Sequence, residues 1–241
     1  MNKMYLLARW KHWLAIIPTL ALVGGSSPPP ISPQPPLPAA YEFSLDPARW
    51  RIQFSPGMPA RPDPIVGCAP DACGWAFAFP TGPDSKGAAS VHYIVTGAPG
   101  RLTGSKLILE YAVVETVKPP TYQYVLGDPK NTCGGPPHFS LYLQRRGDDL
   151  TAAKEFHRWF ARAGEIKAGR ATATASLTGA GWIQVFGKKA EDFPSQFQAA
   201  LAELGGIGFV FGGGCFAGHG INLAPLKDTG ATFIVHKFRT E

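Results

Sequence analysis

Apolar and polar residues alternate with a period of two along most of the chain after residue 41, which predicts strand after strand. Residues 50–54 set Trp50, Ile52 and Phe54 against Arg51 and Gln53, and residues 75–79 give a wholly aromatic face of Trp75, Phe77 and Phe79. Strands at 90–96 and 106–116 follow, the second with Leu107, Leu109, Tyr111 and Val113 on one side and Glu110 on the other. Residues 139–145 place Phe139, Leu141 and Leu143 on one face and Ser140, Tyr142 and Gln144 on the opposite one. The stretch 154–161 is read as a strand with Glu155, His157 and Trp159 outward, although Phe156, Trp159 and Phe160 also fit a helix. Alternating threonine and alanine at 171–177 and apolar runs at 182–186, 207–211 and 230–238 bring the expectation to about ten or eleven strands.

One helix is predicted, over 193–204. Asp192 would cap it, Pro194 suits its first turn, Phe193, Phe197, Leu201 and Leu204 form its apolar stripe, and Gly205-Gly206 would end it. The following stretch 205–220 is half glycine and is expected to be a turn-dense closure of the β core. It fails two nucleotide motifs. Gly213 and Gly218 have phosphate-loop spacing, but His219-Gly220 stands where Lys-Ser/Thr is required. Phe211 occupies the third glycine position of the dinucleotide fingerprint. The connection 119–137 is long enough to be functional or pinned. Arg146-Gly147-Asp148 reads as part of a hairpin turn, and three residues are too short a match to carry an adhesion function.

Composition supports many short strands: of 241 residues, 17% are charged, while Gly numbers 28 and Pro 24. Lys3, Arg9 and Lys11 precede an apolar run at 14–23 and small residues Gly24-Gly25, the pattern of an export signal over 1–25. That run is ten residues long, short of the ~20 that span a bilayer, so the membrane enters only through this segment if it is kept as an anchor. Residues 26–40 hold seven prolines and read as an extended linker, leaving 41–241 as one domain, secreted or periplasmic. Without the signal, 20 basic residues face 17 acidic ones, and this scattered net of +3 excludes a nucleic-acid footprint. Four cysteines in an exported chain predict two disulfides. Of the three pairings, Cys68–Cys73 as a local staple with Cys133–Cys215 across two glycine-rich loops is favoured. No metal or other cofactor is expected, since neither C-x-x-C nor a paired histidine spacing occurs.

The early strand Trp50-Arg51-Ile52-Gln53-Phe54, the segment Glu155-Phe156-His157-Arg158-Trp159-Phe160, the Trp182 to Gly187 element and the late Phe211-Gly212-Gly213-Gly214 leading to Ala231-Thr232-Phe233-Ile234-Val235 follow one another in a particular order. In that order the chain resembles the β-jelly-roll carbohydrate-binding modules of the galactose-binding-like superfamily. The resemblance implies an all-β antiparallel sandwich, a jelly roll with one short amphipathic helix, and a glycan or polysaccharide as partner. Sugar binding requires an aromatic platform beside groups that hydrogen-bond hydroxyls. The alternation offers Tyr142, Gln144, Arg145, His157 and Trp159 for that role. No catalytic residue is assigned. Glu110 and Glu115 fall on opposite faces of one strand, and no G-x-S-x-G elbow is present. A jelly-roll polysaccharide lyase using Tyr142 or His157 as base, and an envelope scaffold without a small ligand, are the competing expectations.

Overall fold

The computed structural model describes residues 38, 40–53, 74–80, 90–116, 123–126, 136–213, 217–224 and 230–241. The expected signal segment, all but two residues of the linker, and Cys68, Cys73, Cys133 and Cys215 lie outside the described residues.

The described chain forms β1 (Tyr41–Glu42), β2 (Trp50–Gln53), β3 (Trp75–Ala78), β4 (Tyr93–Gly100), β5 (Lys106–Glu115), β6 (Gln123–Leu126) and β7 (Pro137–Arg145). It continues with β8 (Arg158–Glu165), β9 (Gly169–Ser176), β10 (Trp182–Gln184), helix α1 (Pro194–Ala202), β11 (Leu204–Gly213), β12 (Ile221–Ala224) and β13 (Ala231–Thr240). Every pairing is antiparallel. One sheet runs β10-β8-β7-β11-β4-β2; the other runs β1-β13-β5-β9, with β3 also on β13. β6 and β12 form a separate pair.

The strand order defines the fold. Setting aside the short edge additions β1, β2 and β10, and counting β3, β4, β5, β7, β8, β9, β11 and β13 as first to eighth, the sheets read 1-8-3-6 and 2-7-4-5. That is the double Greek key of a jelly roll. The architecture is therefore an all-β antiparallel sandwich with one short α-helix.

Alternation explains which side chains meet between the sheets. Phe209 and Phe211 of β11 and Phe139 of β7 face inward from one sheet; Phe77, Tyr111 and Phe233 come from the other. Their rings interlock, with centroids 5.2 Å apart for Phe209–Phe233, 5.0 Å for Tyr111–Phe139 and 5.9 Å for Phe77–Phe211. Such edge and offset contacts add about 0.5–1.5 kcal/mol each beyond area burial. α1 buries Phe197, Ala200 and Leu201 and sets the Phe197 ring against Trp159 and Trp182.

Three expectations need correction. The helix begins after Phe193 without a side-chain cap from Asp192, and it ends at Ala202, because Leu204 already pairs with Gly100 and Arg145. Gly205 and Gly206 therefore lie within a strand and do not terminate the helix. The glycine-rich stretch is accordingly less a turn than a central strand. Among its described residues, positive φ occurs only at the far end, at Gly218 (77°) and Gly220 (84°). Within β11 the reason for glycine is close approach: a methyl group on Gly208 would land on the backbone carbonyl of Ile94. Finally, the residues before β8 are a 3-10 helix, Ala152–His157, so the expected strand over 154–161 starts only at Arg158.

Gly208→Ala is expected to cost several kcal/mol or to abolish folding, because the obstacle is backbone in a paired strand. Gly97→Ala, whose added carbon meets nothing within 4 Å, should be neutral or mildly stabilising. Thermal melts of the two variants decide between this account and one in which β11 glycines serve only flexibility.

Candidate ligand-binding cleft

Where β7 ends, its last residues, the turn after it and the start of β11 enclose a cleft of about 440 Å³, lined by Arg51, Gln144, Arg145, Arg146, Gly205 and the Gly147 to Leu150 loop. Glycines shape it. A Cβ on Gly205 would sit 2.8 Å from Arg146 Cα, so only glycine lets β11 start this close to the turn. Register puts Gln144 opposite Gly206 and Gly206 opposite Gly97, so no side chain stands between β7 and the β2 edge along that row. Arg51 reaches the cleft from that edge.

The loop is braced by its own carboxylates. Asp148 Oδ1 accepts from Leu150 N at 3.1 Å, and Asp149 Oδ1 accepts from Thr151 N at 3.0 Å and Thr151 Oγ1 at 2.6 Å. Leu150 has φ 64°, a left-handed conformation unusual for its residue type, and it remains 48% exposed at the rim. Asp148 Oδ2 takes a 2.9 Å hydrogen bond from Gln144 Nε2 and faces Arg158 Nε at 3.4 Å. The Asp148 and Arg158 side chains are 0% and 7% exposed, so this is a buried ion pair. Arg158 Nη2 also donates to Thr151 O at 2.6 Å. The Arg146-Gly147-Asp148 triplet thus turns its carboxylate inward and presents none to an adhesion partner.

Arg145 and Lys154 are paired in a similar way. Arg145 binds Glu203 Oε2 through Nε at 2.9 Å and Nη2 at 2.8 Å, and Lys154 Nζ lies 3.1 Å from Asp149 Oδ2. Hydrogen bonds from Thr151, with Lys154 beside them, hold the Asp149 carboxyl far below the usual range. His157, at the end of the 3-10 helix, has its pKa lowered by burial and then by Arg145. Burial pushes the Tyr142 phenol well above its ordinary value, so it stays protonated. Both carboxylates are thus engaged in bonds within and around the loop.

The residues expected to form a binding face separate into two groups. Gln144 and Arg145 line the cleft, whereas His157 is not among its lining residues and only senses the charges of Arg145 and Asp148. Tyr142 and Trp159 do not belong to an exposed platform, since both are fully buried. Register pairs Tyr142 with Phe160 and Leu143 with Trp159, so the tyrosine and the tryptophan lie on opposite faces of the sheet. Tyr142 joins Val95, Phe160 and Val210 in a small cluster on the outer face, while Trp159 enters the main core and donates its ring N–H to Phe156 O at 2.9 Å. The physical reason is the 3-10 helix: with the strand starting at Arg158, His157 drops out of the alternation and odd-numbered positions face inward. Sequence reasoning missed Arg51, Arg146, Asp148, Asp149, Leu150 and Gly205 as lining residues. The tight run Arg145-Arg146-Gly147-Asp148-Asp149 was the available signal for most of them.

Family models, curated proteins and solved structures give no match to this chain. The jelly-roll assignment therefore stands on strand order alone, and the cleft must be read from its own chemistry. Among the described residues no group of three or more His, Cys, Asp or Glu gathers where it could hold a metal ion. Besides the loop carboxylates, the cleft is lined by the side chains of Arg51, Gln144, Arg145 and Arg146, three of them guanidinium groups.

Two predictions follow from this electrostatic arrangement. Asp148→Ala leaves the Arg158 charge buried without its partner and should cost about 3–5 kcal/mol in denaturant unfolding. Adding Arg158→Met should recover part of that loss; an Asp148→Ala variant as stable as the parent would show that the pair does not hold the turn. The second concerns pH. His138, His157 and His236 all have pKa values lowered from 6.5, chiefly by burial. The unfolded chain therefore binds these protons first, so their contribution is fully present above about 6.5 and is lost as pH falls through the folded values. The Tm should drop between pH 7.5 and 5, and the drop should shrink in His138→Gln; a Tm that rises on acidification contradicts the assignment.

Proposed function

We propose that the protein is an exported, non-catalytic carbohydrate-binding β-sandwich, secreted or periplasmic, whose glycan docks in the cleft at the end of β7. The observation that carries this reading is the cleft itself: Arg51, Gln144, Arg145 and Arg146 surround a space of about 440 Å³, while its two carboxylates are engaged in bracing the loop. Donor-rich surfaces of this kind suit the oxygen-covered edge of a sugar. The exposed Leu150 side chain supplies a small apolar surface for the C–H face of a pyranose. The charged, apolar and small-residue order of 1–25 supports export.

Binding without turnover is favoured by the same geometry. A lyase needs a positioned base; of the two residues expected for that role, Tyr142 is fully buried and outside the cleft lining, which leaves His157. Screening the purified protein on a glycan array, with product analysis by mass spectrometry, tests the proposal. The expected result is saturable binding without new products, weakened about tenfold by Arg146→Ala, the scale of one charge-assisted hydrogen bond. Unsaturated products that vanish in His157→Ala would replace the reading with a lyase, and capture of no glycan would contradict it.

A further inference from the structure

Charge around the cleft is unbalanced in a way that bears on which glycan it takes. Five cations, Arg51, Arg145, Arg146, Lys154 and Arg158, line it or pair with its lining, against three carboxylates, Asp148, Asp149 and Glu203. Each carboxylate is already matched: Asp148 with Arg158, Asp149 with Lys154 and Glu203 with Arg145. Arg51 has a different situation. It stands exposed on β2 and lines the cleft, and its side chain makes no hydrogen bond or ion pair to any described residue. Its neighbours across the sheet do nothing to compensate it, since the register line from Arg51 runs through Val95 and Gly208 to Tyr142. A surplus guanidinium at the edge of a donor-lined cleft is satisfied best by a planar anion that accepts two parallel N–H bonds, which a sugar hydroxyl cannot do.

Resting on the carbohydrate reading above, we propose that the ligand is an acidic polysaccharide built from uronic acid residues, with one sugar carboxylate anchored by Arg51. The sugar ring then lies toward Gln144 and the 147–150 loop, and the carboxylate points to the β2 edge. Because the Arg51 side chain bonds to no described residue, selectivity for the acid and stability of the protein are separable.

Isothermal titration calorimetry of the full chain with three tetrasaccharides tests this: oligogalacturonate, its methyl ester and a neutral gluco-oligosaccharide. The acid should bind at least tenfold more tightly than its ester and lose affinity as salt rises. Arg51→Gln should bring the acid down to the affinity of the ester with no change in Tm. The proposal is overturned if acid and ester bind parent protein equally, or if Arg51→Gln leaves the preference intact; in both cases the glycan reading stands. It is also overturned if a sulfated oligosaccharide matches the uronate, because the site then selects charge and not a carboxylate. If neither these oligosaccharides nor any array glycan binds, the carbohydrate reading itself has failed.

Discussion

The interlocked aromatic layer between the two sheets is the constraint on which everything else depends. Phe209 and Phe211 on β11 and Phe233 on β13 are fully buried and touch across the sandwich. β11 is the seventh strand of the jelly roll and β13 the eighth, and each is an interior strand of its sheet, flanked by β7 and β4 or by β5 and β3. On the outer face of β11, Gly206 and Gly208 alternate with these rings where the neighbouring strands leave no room for a Cβ. The same alternation that packs the core clears the space beside Gln144. Core packing and the floor of the cleft are thus two sides of one strand.

The buried Asp148–Arg158 pair links that scaffold to the cleft. Arg158 opens β8 next to β7, and Asp148 follows the β7 turn, so the pair ties the loop to the sheet at the point where the alternation begins. A buried ion pair adds little net stability relative to an apolar substitute. Its effect here is to fix position: the loop is held over the cleft with the Asp148 carboxylate buried against Arg158. The left-handed backbone at Leu150 is maintained within the same set of bonds.

Much of the fold was legible because the signal was local. The aromatic face of β3 and the Leu107 to Val113 side of β5 each line up on one face, inside the core, as period-two reading grouped them. The failures have physical causes. β6 and β12 are four residues each and lie in turn-rich sequence, where their pattern is too short to stand out. The glycines of β11 looked like turn formers because glycine permits both turns and close strand contact, and only the neighbouring Ile94 carbonyl distinguishes them. Trp159 was misplaced because a 3-10 helix shifted the start of the strand by a few residues, and a shift of one residue in a period-two element exchanges inside for outside. Arg51 was invisible as a cleft residue for a different reason: nothing local connects it to Gln144, and they meet only through the pairing β2-β4-β11-β7.

The central claim is that one end of the six-stranded sheet, around the β7–β8 turn, is where this protein meets a ligand. Amide chemical-shift mapping during titration with oligogalacturonate addresses it directly. The account predicts perturbations concentrated at Arg51, Gln144 to Thr151 and Gly205, with the β5–β9 side of the sandwich silent. Shifts clustered instead on β5 and β9, or around the exposed Phe186 turn, would contradict it.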